Sequence, residues 1–382
     1  MSETQSISPN STLLGRAGSR AVLDTPALVL DRPALDRNIA AMAAHARVAG
    51  IALRPHVKTH KSVAIARRQV AAGACGVSCV TLGEAEIMMR AGIPGVHLTS
   101  PAVTAAKLVR LAALARAPHR GFSVVVDHAD TVAALSAALH DAPAPLSVLV
   151  DVDAGQGRTG CTIEAAPTLA RLVHTAPGLR FAGIQAYAGH LQHVAARAER
   201  RERSLRLADR LRGLLRQLAA ADLPAPIVTG GGTGTFDFDP EARVFTELQV
   251  GSYVFMDVEY LRALADGCNA PPFETALFIA TAVIGVNQPA YLVTDAGLKS
   301  FATEGPRPEP ARGTPSGSRY EFFGDEHGKL FVPTGNTRPA LGAVIECVTP
   351  HCDPTVNLHD FYHVVDGDTL VEIWPVDARG KR

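Results

Sequence analysis

The chain has 382 residues, 47% hydrophobic and 19% charged, so it can bury a sizeable core and does not have the composition of a disordered protein. Its 37 basic and 37 acidic residues cancel, which gives no long-range attraction for nucleic acid or anionic membranes. No stretch approaches the ~18 consecutive apolar residues of a membrane helix. Residues 1–20, with an acid at Glu3 and no apolar run, do not look like a secretory signal. Six cysteines without a Cys-x-x-Cys pair are typical of a reduced, cytoplasmic protein.

Short β-branched segments alternate with helical patterns over the first two thirds of the chain, which indicates βαβ units around a parallel sheet. An early strand is predicted at Ala27–Leu30, followed by a helix at Pro33–Val48. Eight more strands are predicted at Ala52–Pro55, Gly76–Val80, Val96–Thr99, Phe122–Asp127, Leu146–Asp151, Phe181–Tyr187, Pro226–Gly230 and Glu247–Val250. Each of these except the last is expected to precede a helix, and the clearest helices are Lys61–Ala71, Leu82–Ala91, Val103–Ala115, Ala129–Leu139, Ile163–His174 and Val194–Ala220.

Eight parallel units within about 200 residues favour a closed (β/α)₈ barrel. An open doubly wound sheet is the alternative, but its first loop should carry a glycine-rich phosphate turn, which is missing here. After Tyr253 the pattern changes to β segments separated by polar turns, predicted at Phe278–Val286, Pro289–Thr294, Gly342–Val348, Tyr362–Val365 and Thr369–Trp374. We therefore predict a barrel domain at 34–262 and a mostly antiparallel β domain from 1–33 and 263–382, with the surplus strand Ala27–Leu30 pairing in the latter.

Two lysines stand out because the chain has 6 Lys against 31 Arg. Lys58 and Lys61 lie in Arg54-Pro-His-Val-Lys-Thr-His-Lys61, at the C-terminal mouth of the first barrel strand, where catalytic residues of such barrels gather. An amine can form a Schiff base and a guanidinium cannot. Spacing alone fits equally well two surface lysines on a strand–helix turn.

A glycine-rich segment, Thr229-Gly-Gly-Gly-Thr-Gly-Thr235, follows the seventh barrel strand. It matches neither the dinucleotide-binding nor the P-loop pattern. The loops after strands seven and eight are nevertheless the usual phosphate site of a (β/α)₈ barrel, and strand eight ends in Gly251-Ser-Tyr253. This segment therefore indicates a phosphate cup, with a plain tight turn as the alternative.

A lysine across the barrel mouth from a phosphate cup is what pyridoxal 5′-phosphate (PLP) requires. The aldehyde needs an amine, and the phosphate needs amides and hydroxyls on the opposite rim. Candidates to contact the ring between them are Arg158, after strand five, and Tyr187, at the end of strand six. A cation beside the ring would tune its capacity to accept electrons.

The chain resembles the fold-type III PLP enzymes, which combine an alanine-racemase-like barrel with a β domain, and within them the D-threonine aldolase / D-serine dehydratase family. The similarity runs from Thr25–Asp31 to His351–Thr355. Its motifs are Pro-His-x-Lys-Thr-His-Lys at 55–61, Gly-Arg-Thr-Gly at 157–160, Tyr187 through His193, and Gly-Gly-Gly-Thr at 230–233. The resemblance implies a homodimer in which Lys58 holds PLP, Arg158 and Tyr187 contact the ring, and the phosphate lies near Gly231, Gly232, Thr233, Ser252 and Tyr253.

The pair His351 and Asp353 distinguishes the branches of this family. In extended chain, residues i and i+2 face the same way, so both could share one ion while Cys352 points aside. An imidazole with a carboxylate suits Mn²⁺, the metal we expect, or Mg²⁺, Co²⁺ or Ca²⁺, whereas the His-x-Cys of dehydratase relatives is softer and suits Zn²⁺. Asp353 therefore favours the aldolase. Spacing alone fits a polar loop as well, and Cys352 as a ligand keeps Zn²⁺ and the dehydratase open.

The resemblance implies cleavage of D-threonine and other β-hydroxy-D-amino acids to glycine and an aldehyde. His193 is our candidate to accept the proton of the β-hydroxyl, with His190 as its rival, and His56 and His60 are expected to have supporting roles. The main alternative is a D-serine or 3-hydroxy-D-aspartate dehydratase. A racemase, a non-catalytic PLP carrier and a cofactor-free binding module are further alternatives.

Overall fold

The computed structural model describes residues 8–265 and 272–382. Residues 1–7 and 266–271, which include Glu3 and Cys268, lie outside the described residues. The described residues form two sheets, of eight and of nine strands. The first elements are strand β1 (Ala27–Asp31) and helix α1 (Arg32–Ala49).

The eight-stranded sheet is parallel throughout and holds the predicted barrel strands. They are β2 (Ala52–Leu53), β3 (Val77–Cys79), β4 (Val96–Leu98), β5 (Phe122–Val126), β6 (Leu146–Asp151), β7 (Leu179–Ala186), β8 (Ile227–Gly230) and β9 (Glu247–Leu248). The sheet closes where His56 bridges Ser78 and the Ser78 amide donates to the Pro55 carbonyl at 2.8 Å. The predicted (β/α)₈ barrel is therefore confirmed.

Helices surround this barrel at the predicted places. They are α2 (Val63–Ala71), α3 (Leu82–Arg90), α4 (Ala105–Arg116), α5 (Ala129–Leu139), α6 (Ala166–Thr175) and α7 (Arg197–Ala220). Local capping sets where several begin: Thr81 and Glu84 form a reciprocal capping box at the start of α3. Helix α1 begins behind Asp31, whose side chain accepts from the Ala34 amide, and ends at Gly50 with φ 65°.

Our expectation that every barrel strand but the last precedes a helix is wrong for β8. The segment between β8 and β9 consists of turns and irregular backbone, because glycines at 231, 232 and 234 and Pro240 disfavour a helix. The last strand, β9, is instead followed by a short helix, α8 (Val258–Leu264). The side chain of Asp257 caps this helix by accepting from the Tyr260 amide.

The second sheet is mostly antiparallel. Its later strands are β10 (Leu277–Gly285), β11 (Leu292–Thr294), β12 (Glu309–Arg312), β13 (Arg319–Phe322), β14 (Gly328–Phe331), β15 (Val344–Val348), β16 (Phe361–Asp366) and β17 (Thr369–Pro375). Strand β1 lies between β10 and β16, where Leu28 faces Ile279 on one side and Tyr362 on the other. The N-terminal strand thus pairs with C-terminal strands as expected, while the domain boundaries at 33/34 and 262/263 stay predictions.

Three strands of this sheet were not predicted. Strand β12 lies in the segment 304–318, which the sequence suggests is a polar loop, and β13 and β14 follow it. Strand β12 reads Glu-Pro-Ala-Arg. Among the described strands it pairs with β15 alone, as is typical of an edge strand that contains proline. Among the described residues, no helix has the length and apolarity needed to cross a membrane.

Candidate functional site

A cavity lies at the C-terminal ends of the barrel strands, where the ligands of such barrels bind. Six of the predicted site residues line it: Lys58, Arg158, Tyr187, Gly232, Thr233 and Ser252. The sequence analysis missed other lining residues, notably Thr59, Thr99, Gln185, Gln249 and Tyr260.

Lys58 lies in a one-turn 3₁₀ segment, Val57–Thr59, directly after β2. Its ammonium donates to the carboxylate of Asp353, and its side chain is 35% exposed. Burial alone would lower the pKa of Lys58, but the charge of Asp353 and the nearby phenol of Tyr187 outweigh it and raise that pKa. The amine that the sequence singles out therefore lies in the cavity, paired with a residue of the β domain.

Two histidines, His56 and His60, flank Lys58, and burial favours the uncharged form of both imidazoles at neutral pH. Burial lowers the pKa of His56 well below its usual range, and burial lowers that of His60 to about 4. The Nδ1 atom of His56 accepts from the Lys58 amide at 3.3 Å, so its Nε2 carries the proton toward Thr99 Oγ1 at 3.2 Å. Thr99 in turn donates to the Cys79 carbonyl at 3.1 Å. His56 therefore links the Lys58 turn to the neighbouring strands β3 and β4.

The predicted phosphate cup faces this cavity after β8 and β9. Thr233 Oγ1 accepts from the Tyr253 amide at 3.1 Å, which ties the two loops together. Within the described ranges, the amides of Thr233 and Ser252 make no hydrogen bond. A Cβ at Gly251 would lie 2.6 Å from Thr59 Oγ1, a buried atom that has no partner there either. An anion site typically offers free backbone amides and hydroxyls. It also needs a close approach of the backbone, which glycine permits because it has no Cβ.

The other two residues predicted for the cup do not line the cavity with their side chains. Gly231 has φ 66° and lies beneath the cup, where an added Cβ would clash with Asp239 Oδ2. The phenol of Tyr253 lies against Gln69, whose Nε2 donates to it at 3.1 Å. Tyr253 thus contributes its backbone to this region, and its ring is core.

Arg158 and Tyr187 lie together on one side of the cavity. The guanidinium carbon is 5.6 Å from the centroid of the tyrosine ring. Asp153 shapes the loop that carries Arg158, because its Oδ1 accepts from the amides of Gly155, Gln156 and Gly157 at 2.9–3.0 Å. On the floor, Gln185 accepts from Gln249 at 3.0 Å and donates to Asp151 at 2.8 Å.

The extended conformation predicted for 351–353 is wrong. His351 is extended, but Cys352–Val356 forms a short helix, α9, so Asp353 lies in its first turn. Asp257 Oδ2 accepts from the Cys352 amide at 2.8 Å and so caps α9 as well as α8. Cys352 is fully buried, and burial raises the pKa of its thiol. A five-residue helix is too short to show periodicity, so the sequence pattern could not reveal it.

The predicted metal donors have protein partners. His351 Nδ1 lies 3.1 Å from Glu304 Oε1, and Asp353 accepts from Lys58. In the described part of the chain, no group of three or more His, Cys, Asp or Glu side chains is arranged to hold a metal ion. The pair offers an imidazole Nε2 and one carboxylate, a donor chemistry that fits a hard divalent ion with two protein ligands and water.

The two candidate bases, His193 and His190, lie in different places. His193 Nδ1 is 4.0 Å from Glu259 Oε2, and its ring centroid is 4.6 Å from that of Tyr260. Burial lowers the pKa of His193, as do the charges of His351 and Lys58, against the opposing effect of Glu259. His190 instead packs beside Gly155, in a separate surface depression lined by arginines of α7.

The residues present fit PLP. The cavity places an amine, Lys58, together with a cup whose Thr233 and Ser252 amides and Thr59 hydroxyl find no hydrogen-bond partner in the described part of the chain. An amine for the aldehyde and a polar cup for the phosphate are the two anchors this cofactor needs.

Comparisons with known proteins agree with this geometry. Residues 30–259 match the family described as alanine racemase, N-terminal domain, and residues 276–365 match the putative serine dehydratase domain. A D-threonine aldolase from Arthrobacter sp. is 43% identical over 365 residues, which cover 94% of this chain and 94% of that protein. A 3-hydroxy-D-aspartate aldolase from Paracoccus denitrificans (strain Pd 1222) is 37% identical over 366 residues, covering 94% and 93%.

A solved structure gives the same result. The D-threonine aldolase from Filomicrobium marinum superimposes with a TM-score of 0.89 at 42% identity, and the match covers 94% of this chain and 96% of that chain. These similarities confirm the resemblance drawn from the motifs. The chain belongs to the D-threonine aldolase family of carbon–carbon lyases, with the fold-type III PLP architecture of an alanine-racemase-like barrel and a β domain.

Proposed function

We propose that this protein is a PLP- and divalent-metal-dependent aldolase that cleaves D-threonine and other β-hydroxy-D-amino acids to glycine and an aldehyde. The observation that carries the proposal is the position of Lys58, which lines the cavity together with the glycine-rich cup. The family to which the chain belongs, with a D-threonine aldolase at 43% identity, supports the same reaction.

In this proposal Lys58 and the cup residues Gly231, Gly232, Thr233, Ser252 and Tyr253 hold PLP, while Arg158 and Tyr187 contact its ring. Bound PLP supplies an electron sink for the pair of electrons left at Cα. The chain holds the substrate in a cavity whose floor is already satisfied by the Gln185–Gln249–Asp151 hydrogen bonds. The second amide proton of Gln185 goes to the Thr99 carbonyl and that of Gln249 to Thr229 Oγ1, so the side-chain N–H groups of both glutamines are already used by the protein.

We assign His351 and Asp353 as the metal donors, with Mn²⁺ the expected ion. The contact between His351 Nδ1 and Glu304 supports this, because a ligating histidine usually donates its other ring N–H to a carboxylate. A metal there would supply Lewis-acid chemistry at the substrate hydroxyl. Zn²⁺ remains the alternative if Cys352 contributes, and the full burial of that thiol in α9 speaks against it.

His193 is our candidate to accept the proton of the β-hydroxyl. Its lowered pKa keeps the ring unprotonated at neutral pH, as a base requires. Its ring contacts that of Tyr260, which lines the cavity, and this contact supports a position beside the proposed site. His190 instead lies beside Gly155 and lines a separate surface depression.

The second candidate function is β-elimination by a D-serine or 3-hydroxy-D-aspartate dehydratase, which the match of residues 276–365 to the serine dehydratase domain favours. Feeding D-threonine separates the two activities. Glycine with acetaldehyde supports the aldolase, and 2-oxobutanoate supports the dehydratase. Chelator treatment followed by Mn²⁺ should abolish and restore turnover, whereas undiminished turnover would contradict the metal assignment.

We also propose that the protein works as a homodimer in the cytoplasm. The family resemblance supports the dimer, and the sparse cysteines, all free among the described residues, support a reducing compartment. Analytical ultracentrifugation tests the first point and localisation of the tagged protein tests the second.

A further inference from the structure

We infer that Lys61, the second lysine of the Lys58 motif, positions Lys58, and that it does so together with Glu84 and the segment Val376–Arg382. The inference rests on the proposed function, because it assumes that Lys58 is the amine that holds PLP. It assigns to Lys61 no contact with cofactor or substrate: Lys61 acts on the reaction through the loop that carries Lys58.

The backbone of Lys61 completes the turn that carries Lys58. Its amide donates to the Val57 carbonyl at 2.7 Å, which encloses Lys58 in a tight loop. Its φ is 49°, a left-handed conformation that lysine rarely adopts. Such a conformation persists only where surrounding contacts hold it.

The side chain of Lys61 ties this loop to the neighbouring strand. Its ammonium pairs with Glu84 at 2.5 Å, with the two side chains 11% and 0% exposed. The other oxygen of Glu84 accepts from the amides of Val80 at 2.8 Å and Thr81 at 3.3 Å, at the end of β3. Val80 lines the same cavity as Lys58. The ion pair therefore joins two walls of the cavity.

The segment Val376–Arg382 lies across the same two walls. The Ala378 amide donates to the Lys61 carbonyl at 3.0 Å, and Asp377 Oδ2 accepts from the Val63 amide at 2.7 Å. At the other end, Thr81 Oγ1 donates to the Lys381 carbonyl at 3.1 Å. Lys61 is thus held through its amide, its carbonyl and its ammonium.

These contacts hold Lys61 in one place, as an exposed lysine is not held, so Lys61 can fix the position of the Lys58 turn. A catalytic group displaced by about 1 Å loses roughly 10²-fold in rate. Loss of the Lys61 ammonium would release one wall from the other and move the Lys58 turn. We therefore expect slower capture of PLP and a lower kcat, with a smaller effect on KM.

Three variants test this. Lys61→Met leaves Glu84 buried without its cation, so both folding stability and function should fall. Lys61→Met/Glu84→Gln removes the orphaned charge, and glutamine can still serve in the capping box. We expect this double variant to regain thermal stability but still to capture PLP and turn over D-threonine about 10²-fold more slowly than wild type. Lys61→Arg keeps the charge and should recover function to within about tenfold.

The first readout is the rate at which apoprotein captures PLP at Lys58; the product is trapped with borohydride and located by mass spectrometry. The second readout is the pair of constants kcat and KM for D-threonine. Lys299→Met is the matched control, because Lys299 also pairs with a glutamate but is 63% exposed. Wild-type PLP capture and kcat in the double variant would overturn the inference. If borohydride does not fix PLP to Lys58 in the wild type, the proposed function itself fails, which is a distinguishable result.

Discussion

Lys58 of the barrel and Asp353 of the β domain form an ion pair across 295 positions of sequence. Burial alone would raise the pKa of Asp353, but Lys58 and His351 hold that pKa well below its usual range. The pKa of Lys58 is raised in turn, because Asp353 outweighs the effect of burial. The candidate cofactor amine and a candidate metal donor are therefore neighbours, although one follows barrel strand β2 and the other lies in helix α9.

The first prediction concerns the amine itself. Lys58→Arg keeps a cation opposite Asp353 but removes the group that can bond covalently to an aldehyde. We expect lyase activity to fall by roughly 10⁴-fold or more, with no PLP fixed by borohydride at position 58. Thermal denaturation should show that the variant still folds. Our assignment would be contradicted if the variant kept full activity although the wild type carries covalent cofactor at residue 58.

A second prediction concerns Asp257, which caps both α8 and α9. Asp257→Ala removes acceptors from the Tyr260 and Cys352 amides, which lie at 2.9 Å and 2.8 Å. We expect the free energy of unfolding to fall by about 1–3 kcal/mol. Urea denaturation measures this, and His128→Ala, which removes an exposed cap of α5, should cost less. Equal losses in the two variants would mean that Asp257 is an ordinary cap.

A third prediction concerns Gly251 in the phosphate cup, where we expect an added methyl group to weaken PLP binding. In Gly251→Ala the new Cβ would lie 2.6 Å from Thr59 Oγ1, inside the cavity, so PLP affinity should fall about tenfold or more. Gly213→Ala on α7 is the matched control, since an added Cβ there meets nothing within 4 Å. The control should bind PLP normally and gain up to about 1 kcal/mol of stability from helix propensity. Equilibrium titration of apoprotein with PLP compares the two, and equal affinities would remove the cup from the PLP site.

A pH effect is predicted for Asp239, which lies beneath the cup. Burial raises the pKa of Asp239 to about 6, although Ser204 and Thr235 each donate to it at 2.6 Å. The folded state then binds more protons than the unfolded state between about pH 4 and pH 6, so this residue makes the protein less stable as pH rises through that interval.

Asp239→Asn should remove that part of the pH dependence, about 1–3 kcal/mol between pH 4 and pH 6. Chemical denaturation of both proteins at several pH values measures the difference. If the two stability profiles run parallel, Asp239 titrates normally and the proposed effect of burial is wrong.

The barrel was predictable because its signal is repeated. Each βα unit shows a buried β-branched strand and an amphipathic helix, and the observed β6 and α5 have the predicted bounds. The edge strand β12 was not predictable, because a polar segment with Pro310 resembles a loop until its pairing with β15 is known. The absence of a helix after β8 could have been predicted, because the segment that follows this strand contains several glycines and Pro240.

The sequence by itself determined the barrel, the candidate amine at Lys58 and the glycine-rich cup, because these depend on local periodicity and on residue types whose chemistry does not need a neighbour. Only the tertiary structure decided which side chains meet. It paired Asp353 with Lys58 and Lys61 with Glu84, separated His190 from His193, and turned the Tyr253 ring away from the cavity. These arrangements depend on how separate strands, helices and loops pack against one another, which no short segment encodes.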